Sequence, residues 1–210
     1  MFRIKICGVT SPEDALHAVS VGADTVGLNF FRGSKRYVTE DVAREIVKTI
    51  GSAQVVGVFV NESPERLMEI CGRVGIKRVQ LHGNEKAADA VRIRLWRMKV
   101  LHAERFVDFD ALGQFPCEAF LLDAGGVGEY GGTGRILPWE SISGQVGRLK
   151  KPWALAGGLT PENVERAILA VKPFGVDTAS GVESAPGKKD PQKVEAFIKN
   201  AKTGFRHAEK

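Results

Sequence analysis

The sequence predicts an α/β protein, a single closed (β/α)8 barrel, and three observations predict it. Strand-like and helix-like stretches alternate along all 210 residues, as eight pairs at a spacing of about 25 residues. The strand-like runs are short, apolar and bounded by glycine, proline or polar residues. Four helices open on a capping residue followed by proline: Ser11-Pro12, Ser63-Pro64, Thr160-Pro161 and Asp190-Pro191. An open doubly wound sheet is the alternative, but eight strands on so short a chain are rarer in that form.

The elements follow in order. "RIKICGV" (3–9) reads as a strand and "SPEDALHAVSVG" (11–22) as its helix. "TVGLNF" (25–30) precedes "TEDVAREIVKTI" (39–50), and "VVGVFV" (55–60) precedes "SPERLMEICGRVG" (63–75). "RVQLHG" (78–83) is followed by "NEKAADAVRIR" (84–94), and "RMKVLH" (97–102) by "ERFVDFDAL" (104–112). "EAFLLDA" (118–124) leads through a glycine-rich loop to "PWESISGQVGRL" (138–149). "PWALAG" (152–157) precedes "TPENVERAILAV" (160–171), and "GVDTAS" (175–180) precedes "DPQKVEAFIKNAK" (190–202). The stretches Glu65–Cys71 and Val164–Val171 carry apolar residues at three- and four-residue spacing, the mark of a helix with one buried face. No linker-like or low-complexity segment interrupts the series, so one catalytic domain over 1–210 is expected.

Composition narrows the class. Hydrophobic residues make up 43% of the chain, enough for a sizeable core. No run of eighteen apolar residues occurs, and the first strand begins within three residues of the N-terminus, so neither a membrane span nor a signal peptide is expected. The three cysteines Cys7, Cys71 and Cys117 show no pairing pattern, which suits the reducing cytoplasm. A net charge of +5 favours an anionic ligand. Nucleic acid is not expected, because Lys and Arg are scattered apart from "RLKK" (148–151) and "GKKD" (187–190).

Alternation along each strand assigns faces. Ile4 and Ile6, Val79 and Leu81, Phe120 and Leu122, and Leu28 and Phe30 suit the layer under the helices. Lys5 and Cys7, Gln80 and His82, Asp123, Asn29 and Asp177 then point to the barrel interior. A lone buried charge is very unfavourable, so Lys5 on the first strand and Asp177 on the last are expected to pair across the barrel seam. Cys7, Asn29, His82 and Asp123 fall at the carboxyl ends of their strands, where this fold builds active sites.

Two late loops, "LAGGLTPENV" (155–164) and "ASGVESAPGKKD" (179–190), have the glycine placement of a phosphate cradle after strands seven and eight. The loop "AGGVGEYGGTGRILPW" (124–139) contains a literal G-x-G-x-x-G from Gly126 to Gly131, yet it does not open a helix at once and so is not a dinucleotide fingerprint. It reads instead as a wall of the substrate pocket. Cys7, His82 and Asp123 lack any metal-ligand spacing, so no metal is expected. Cys71, Cys117, Trp139 and Trp153 read as packing residues, and His17, His102 and His207 carry no functional signal.

The motifs "KICG", "GAD", "SKR", "VGVFVN", "VQLHG", "LLD", "YGGTG", "AGGLTPENV", "GVD" and "SGVE…PGKKD" occur in this order from Lys5 to Asp190. Together they resemble the phosphoribosylanthranilate isomerase family of tryptophan biosynthesis. The resemblance implies an Amadori rearrangement of N-(5-phosphoribosyl)anthranilate to 1-(2-carboxyphenylamino)-1-deoxyribulose 5-phosphate. It implies Cys7 as general base, Asp123 as general acid and Arg36 as the holder of the anthranilate carboxylate. It also implies a phosphate site at Gly157, Gly158, Ser180 and Gly181. Asn29, Gln80, His82 and Gly132 complete the expected substrate-binding set. No cofactor is implied, the partner is the phosphorylated aminosugar alone, and the chain is expected as a monomer or homodimer. The acid must be partly protonated near neutrality, so a dry site has to raise Asp123 above its ordinary pKa of about 3.9. Lys5, two residues from Cys7, is the cation that would help form a thiolate.

Two places depart from the family pattern: "LPW" (137–139) stands where Phe-Asp-Trp is usual, and Ala179 replaces the first of two serines. Two other functions fit parts of the pattern. A sugar-phosphate isomerase of histidine synthesis would use paired aspartates, and Cys7 argues against it. A non-catalytic phosphate-ligand binder would keep the phosphate loops without needing both Cys7 and Asp123.

Overall fold

A computed structural model describes residues 1–102, 113–123, 139, 146 and 148–209, except the side chain of Ala53. Eight parallel strands close into a barrel in chain order: β1 (Ile4–Cys7), β2 (Thr25–Asn29), β3 (Val55–Phe59), β4 (Arg78–Leu81), β5 (Trp96–His102), β6 (Ala119–Asp123), β7 (Trp153–Leu155) and β8 (Gly175–Thr178). β8 returns to β1 with Asp177 in register with Lys5. Six α-helices are described: α1 (Pro12–Ser20), α2 (Glu40–Ile50), α3 (Pro64–Val74), α4 (Ala87–Ala90), α5 (Val164–Val171) and α6 (Pro191–Ala208). The expected helix over 104–112 lies outside the described residues, as does most of the one over 138–149.

The helix starts follow the capping chemistry at three of the four Pro sites. Ser11 accepts from the Asp14 N–H, Ser63 from Arg66, and Asp190 from both Gln192 and Lys193. The fourth start differs. Residues 161–163 form a turn and α5 begins only at Val164, because the Asn163 side chain accepts from the Thr160 N–H at 2.8 Å and donates to the Gly158 carbonyl at 2.9 Å. That local ring of hydrogen bonds competes with the helix. α4 is a single turn where a longer helix was expected; Lys86 supplies no side-chain cap, and Glu85 turns inward to Lys99. α6 runs six residues further than the pattern indicated, since buried positions continue through Gly204 and Phe205. Gly204 lets α6 approach α5: a Cβ there would stand 3.2 Å from the Glu165 Cα. The loop after β8 holds an unforeseen two-stranded ribbon, β9 (Glu183–Ala185) with β10 (Lys188–Lys189).

The alternation assigned the faces correctly. Ile4, Ile6, Leu28, Val79, Leu81, Phe120 and Leu122 pack in the layer between strands and helices, with Ala15, Ile46, Leu67, Ile168 and Phe197 from the helices. The interior is divided. Met98, Val100, Ala119, Leu121 and Ala154 make an apolar sector under β5, β6 and β7. Lys5, Gln80 and Asp177 make a polar sector from β1, β4 and β8. Cys71, Cys117, Trp139 and Trp153 are all buried, as their packing role requires. No helix among the described residues is long and apolar enough to cross a membrane.

The seam pair forms as expected: Lys5 Nζ lies 2.9 Å from Asp177 Oδ2 and 3.0 Å from Gln80 Oε1. Removing one member of such a pair leaves a buried charge without its counterion. Lys5→Met is expected to lower unfolding free energy by about 3–5 kcal/mol in a denaturant titration. The Lys5→Met/Asp177→Leu double variant should recover much of that loss, and a double variant as unstable as the single one contradicts this account.

Candidate active site

The carboxyl ends of the strands surround a cleft that opens to solvent. Cys7 reaches it from the end of β1, Asn29 from β2, Gln80 and His82 from β4 and the residue after it, and Asp123 from β6. Gly157, Gly158, Ala179 and Ser180 continue its wall on the side of β7 and β8. The residues the alternation singled out therefore share one site.

Glycines make room for Cys7. Gly27 lies beside it on β2, where an added Cβ would come within 2.7 Å of the Cys7 Sγ and 3.1 Å of the Lys5 Cε. Gly8 follows Cys7 with φ +67, the left-handed region that favours glycine. A Cβ at Gly8 would stand 2.4 Å from the Arg36 Cδ, so the "CG" pair of the first strand lets the arginine lie across the thiol's neighbour. Lys5 does act on the thiol as expected, but it does not win. Burial pushes the Cys7 thiol up and Asp177 adds to this; together they outweigh the downward pull of Lys5, leaving the thiol above its ordinary value. Lys5 itself is drawn down by burial but held higher still by Asp177 and Cys7, so it stays protonated.

Arg36 is fixed by a carboxylate that the sequence did not single out. Its Nε and Nη2 bind Glu183 Oε1 and Oε2, each at 2.7 Å. Lys189 Nζ reaches Glu183 Oε1 at 3.0 Å and the Ala179 carbonyl at 3.1 Å, tying the β9–β10 ribbon to the same cluster. Burial pushes the Glu183 carboxyl up, but its hydrogen bonds to Arg36 and the neighbouring Lys189 hold it below the usual range. The Arg36 loop is in turn held by Asn29, which donates to Ser34 Oγ at 3.1 Å and accepts from the Phe31 N–H at 2.9 Å. Asn29 thus lines the cleft while its amide braces the loop.

On the side of the two late loops, Gly157 and Gly158 both have left-handed φ, +83 and +65. Thr178 Oγ1 donates to the Leu159 carbonyl at 2.7 Å and binds the two late loops together. Gly181 does not line the cleft. It allows the loops to touch, since a Cβ there would lie 2.0 Å from the Leu159 oxygen. Gly132 and the glycine loop from 124 to 138 lie outside the described residues.

Asp123 is buried at the end of β6, with its Oδ2 3.6 Å from His82 Nε2. His102, in register with Asp123 on β5, is also buried, and its ring centroid is 5.5 Å from that of His82. His102 carried no functional signal in the sequence; Met98 and Val100 precede it on the same face, and its place at the carboxyl end of that inward-facing row was the available signal.

Comparisons with known proteins agree with this geometry. The family model described as N-(5'phosphoribosyl)anthranilate (PRA) isomerase matches residues 4–200. An N-(5'-phosphoribosyl)anthranilate isomerase of Trichlorobacter lovleyi is 42% identical over 203 residues, covering 96% of this chain and 98% of the relative. One from Magnetococcus marinus is 44% identical over 200 residues, 93% of each chain. Among solved structures, phosphoribosyl anthranilate isomerase from Thermotoga maritima superposes with a TM-score of 0.88 at 42% identity, over 97% of this chain and all of that one. A phosphoribosyl anthranilate isomerase in complex with reduced 1-(o-carboxyphenylamino)-1-deoxyribulose 5-phosphate gives 0.85 at 39% identity, with the same coverage.

The three thiols should differ in reactivity. Burial pushes Cys71 up to about 12 and Cys117 up to about 11, and neither lines the cleft. Under iodoacetamide, mass spectrometry should find Cys7 alkylated first. Its reaction midpoint should lie above the value of about 8.5 typical of a free cysteine, because the thiolate is the reacting form. A midpoint below that value contradicts the dominance of burial over Lys5.

Proposed function

Because the chain belongs to the N-(5'-phosphoribosyl)anthranilate isomerase family, we propose that its cleft works with Cys7 as general base and Asp123 as general acid. The chain is an isomerase of tryptophan biosynthesis that converts N-(5'-phosphoribosyl)anthranilate to 1-(2-carboxyphenylamino)-1-deoxyribulose 5-phosphate. The observation that supports the residue roles is the convergence of a thiol from β1 and a carboxyl from β6 on one cleft whose far wall is the Gly157–Gly158 and Ser180 loops.

In this reading Asp123, protonated, gives its proton to the furanose ring oxygen. The C1–O bond breaks and the anthranilate nitrogen lone pair forms the Schiff base. The Cys7 thiolate then removes the C2 proton, and the C2–H electrons form a C1–C2 double bond as the C1–N π pair returns to nitrogen. The resulting enolamine becomes the aminoketone by losing its C2 hydroxyl proton and taking up a proton at C1. Burial makes the thiol reluctant to ionise, but it also makes the thiolate, once formed, a stronger base toward carbon. Arg36 keeps Nη1 for the anthranilate carboxylate while Glu183 holds its other two nitrogens. Gly157, Gly158 and Ser180 take the phosphate, with Gly181 allowing the loops to close on it. Asn29, Gln80 and His82 form the floor under the sugar, and Gly132 completes the substrate-binding set. Acid–base chemistry of this kind requires no metal and no cofactor. All the groups named come from one barrel over 1–210, so the reading holds for a monomer or a homodimer. The three free cysteines fit a cytoplasmic enzyme.

Purified protein should turn over the substrate with a change in anthranilate fluorescence. Cys7→Ala and Asp123→Asn should each reduce kcat by about 10²–10⁴-fold, while a reduced product analogue still binds. Full turnover by either variant removes that residue from the mechanism. Arg36→Met should raise KM more than it lowers kcat, since the carboxylate it would hold lies away from the reacting carbons. An unchanged KM overturns the assignment of Arg36.

A further inference from the structure

Four buried side chains from β1, the β4 end and β6 form a line across the polar floor of the barrel. Lys5 Nζ donates to Gln80 Oε1 at 3.0 Å. Gln80 Nε2 lies 2.9 Å from His82 Nδ1, and His82 Nε2 lies 3.6 Å from Asp123 Oδ2. The donor and acceptor chemistry of the line has one consistent solution. An ammonium only donates, so the Gln80 oxygen faces Lys5 and its NH₂ faces His82. An amide NH₂ also only donates, so His82 Nδ1 must accept. A neutral His82 therefore carries its proton on Nε2, the nitrogen that faces Asp123. That nitrogen is buried and has no hydrogen-bond partner among the described residues.

We propose that Gln80 and His82 are positioning residues for the general acid: Lys5, acting through Gln80, fixes the His82 tautomer so that a neutral Nε2–H is presented to Asp123 Oδ2. The proposal rests on the assignment of Asp123 as the acid. Neutrality of the ring matters to it. An imidazolium beside Asp123 would hold the carboxyl ionised and leave it no proton to give. A neutral N–H can hold the Oδ2 oxygen in place while Oδ1 carries the proton, and it then stabilises the carboxylate left after transfer. Burial, with His102, Lys5 and Lys99 nearby, lowers His82 to about 3 against a smaller opposing pull from Glu85, so the ring is neutral throughout the working range. The 3.6 Å separation requires a small closing movement for a full hydrogen bond.

Nitrogen NMR of ¹⁵N-histidine-labelled protein should show His82 neutral with its proton on Nε2. Gln80→Glu replaces the donor by an acceptor and should move the proton to Nδ1. That variant should lower kcat about tenfold, one hydrogen bond's worth, and by a larger factor than it raises KM. His82→Ala should lose a similar factor, and His82→Gln, which retains an N–H of similar reach, should regain most of it. In an Asp123→Asn background His82→Ala should add no further loss, because the ring acts through that carboxyl. The proposal is overturned by a wild-type ring protonated on Nδ1 or charged at neutral pH, by a tautomer change that leaves kcat untouched, or by additive losses in the double variant. If Gln80→Glu does not fold, the wild-type spectrum and the two His82 variants decide. Failure of the parent assignment reads differently: Asp123→Asn would then retain turnover, whatever the His82 spectrum shows.

Discussion

The ammonium of Lys5 has no exposed surface at the seam where the first and last strands meet, and the polar half of the interior is arranged around it. A charge so placed is tolerable only if it is paired and hydrogen-bonded. Asp177 and Gln80 meet that demand from β8 and β4, so one cation links three strands across the barrel. The same demand fixes which way Gln80 faces and hence what His82 can do. It also acts on Cys7, whose thiol feels both charges of the pair together with its own burial. Closure of the fold and preparation of the site are thus two results of one buried charge.

Around that centre the site depends on close approach, and glycine provides it. Gly27 gives the Cys7 sulfur its space, Gly8 lets Arg36 pass, and Gly181 allows the two late loops to meet. A side chain at any of them would strike its neighbour. Arg36, brought in over Gly8, is then held rigidly by Glu183, which is itself held by Lys189. The short ribbon after β8 has a purpose in this arrangement: it delivers the acid and the base of that cluster from two adjacent strands, β9 and β10.

Much of the site was legible because strand alternation is a local rule. Cys7, His82 and Asp123 fall at strand ends on the inward phase, and the Lys5–Asp177 pair follows from knowing that first and last strands touch. Other parts depend on contacts that no spacing encodes. Glu183 is one acidic residue in a polar loop until Arg36, far away in sequence, closes on it. Asn163 reads as a helix residue, but its side chain bonds back to Thr160 and Gly158 and displaces the helix start to Val164. His102 is hidden by the apolar Met98 and Val100 that share its face.

The sequence by itself determined the barrel, the faces of its strands and the residues at their ends, because periodicity, capping and proline placement act over a few residues. Only the tertiary structure decided the balance of forces at those residues. The neighbouring lysine that alone would lower the Cys7 thiol loses to burial, and the tautomer of His82 is set by an amide whose orientation depends on a lysine 75 positions away in the chain. Desolvation and hydrogen-bond direction are properties of the packed interior, and they exist only once distant strands have come together.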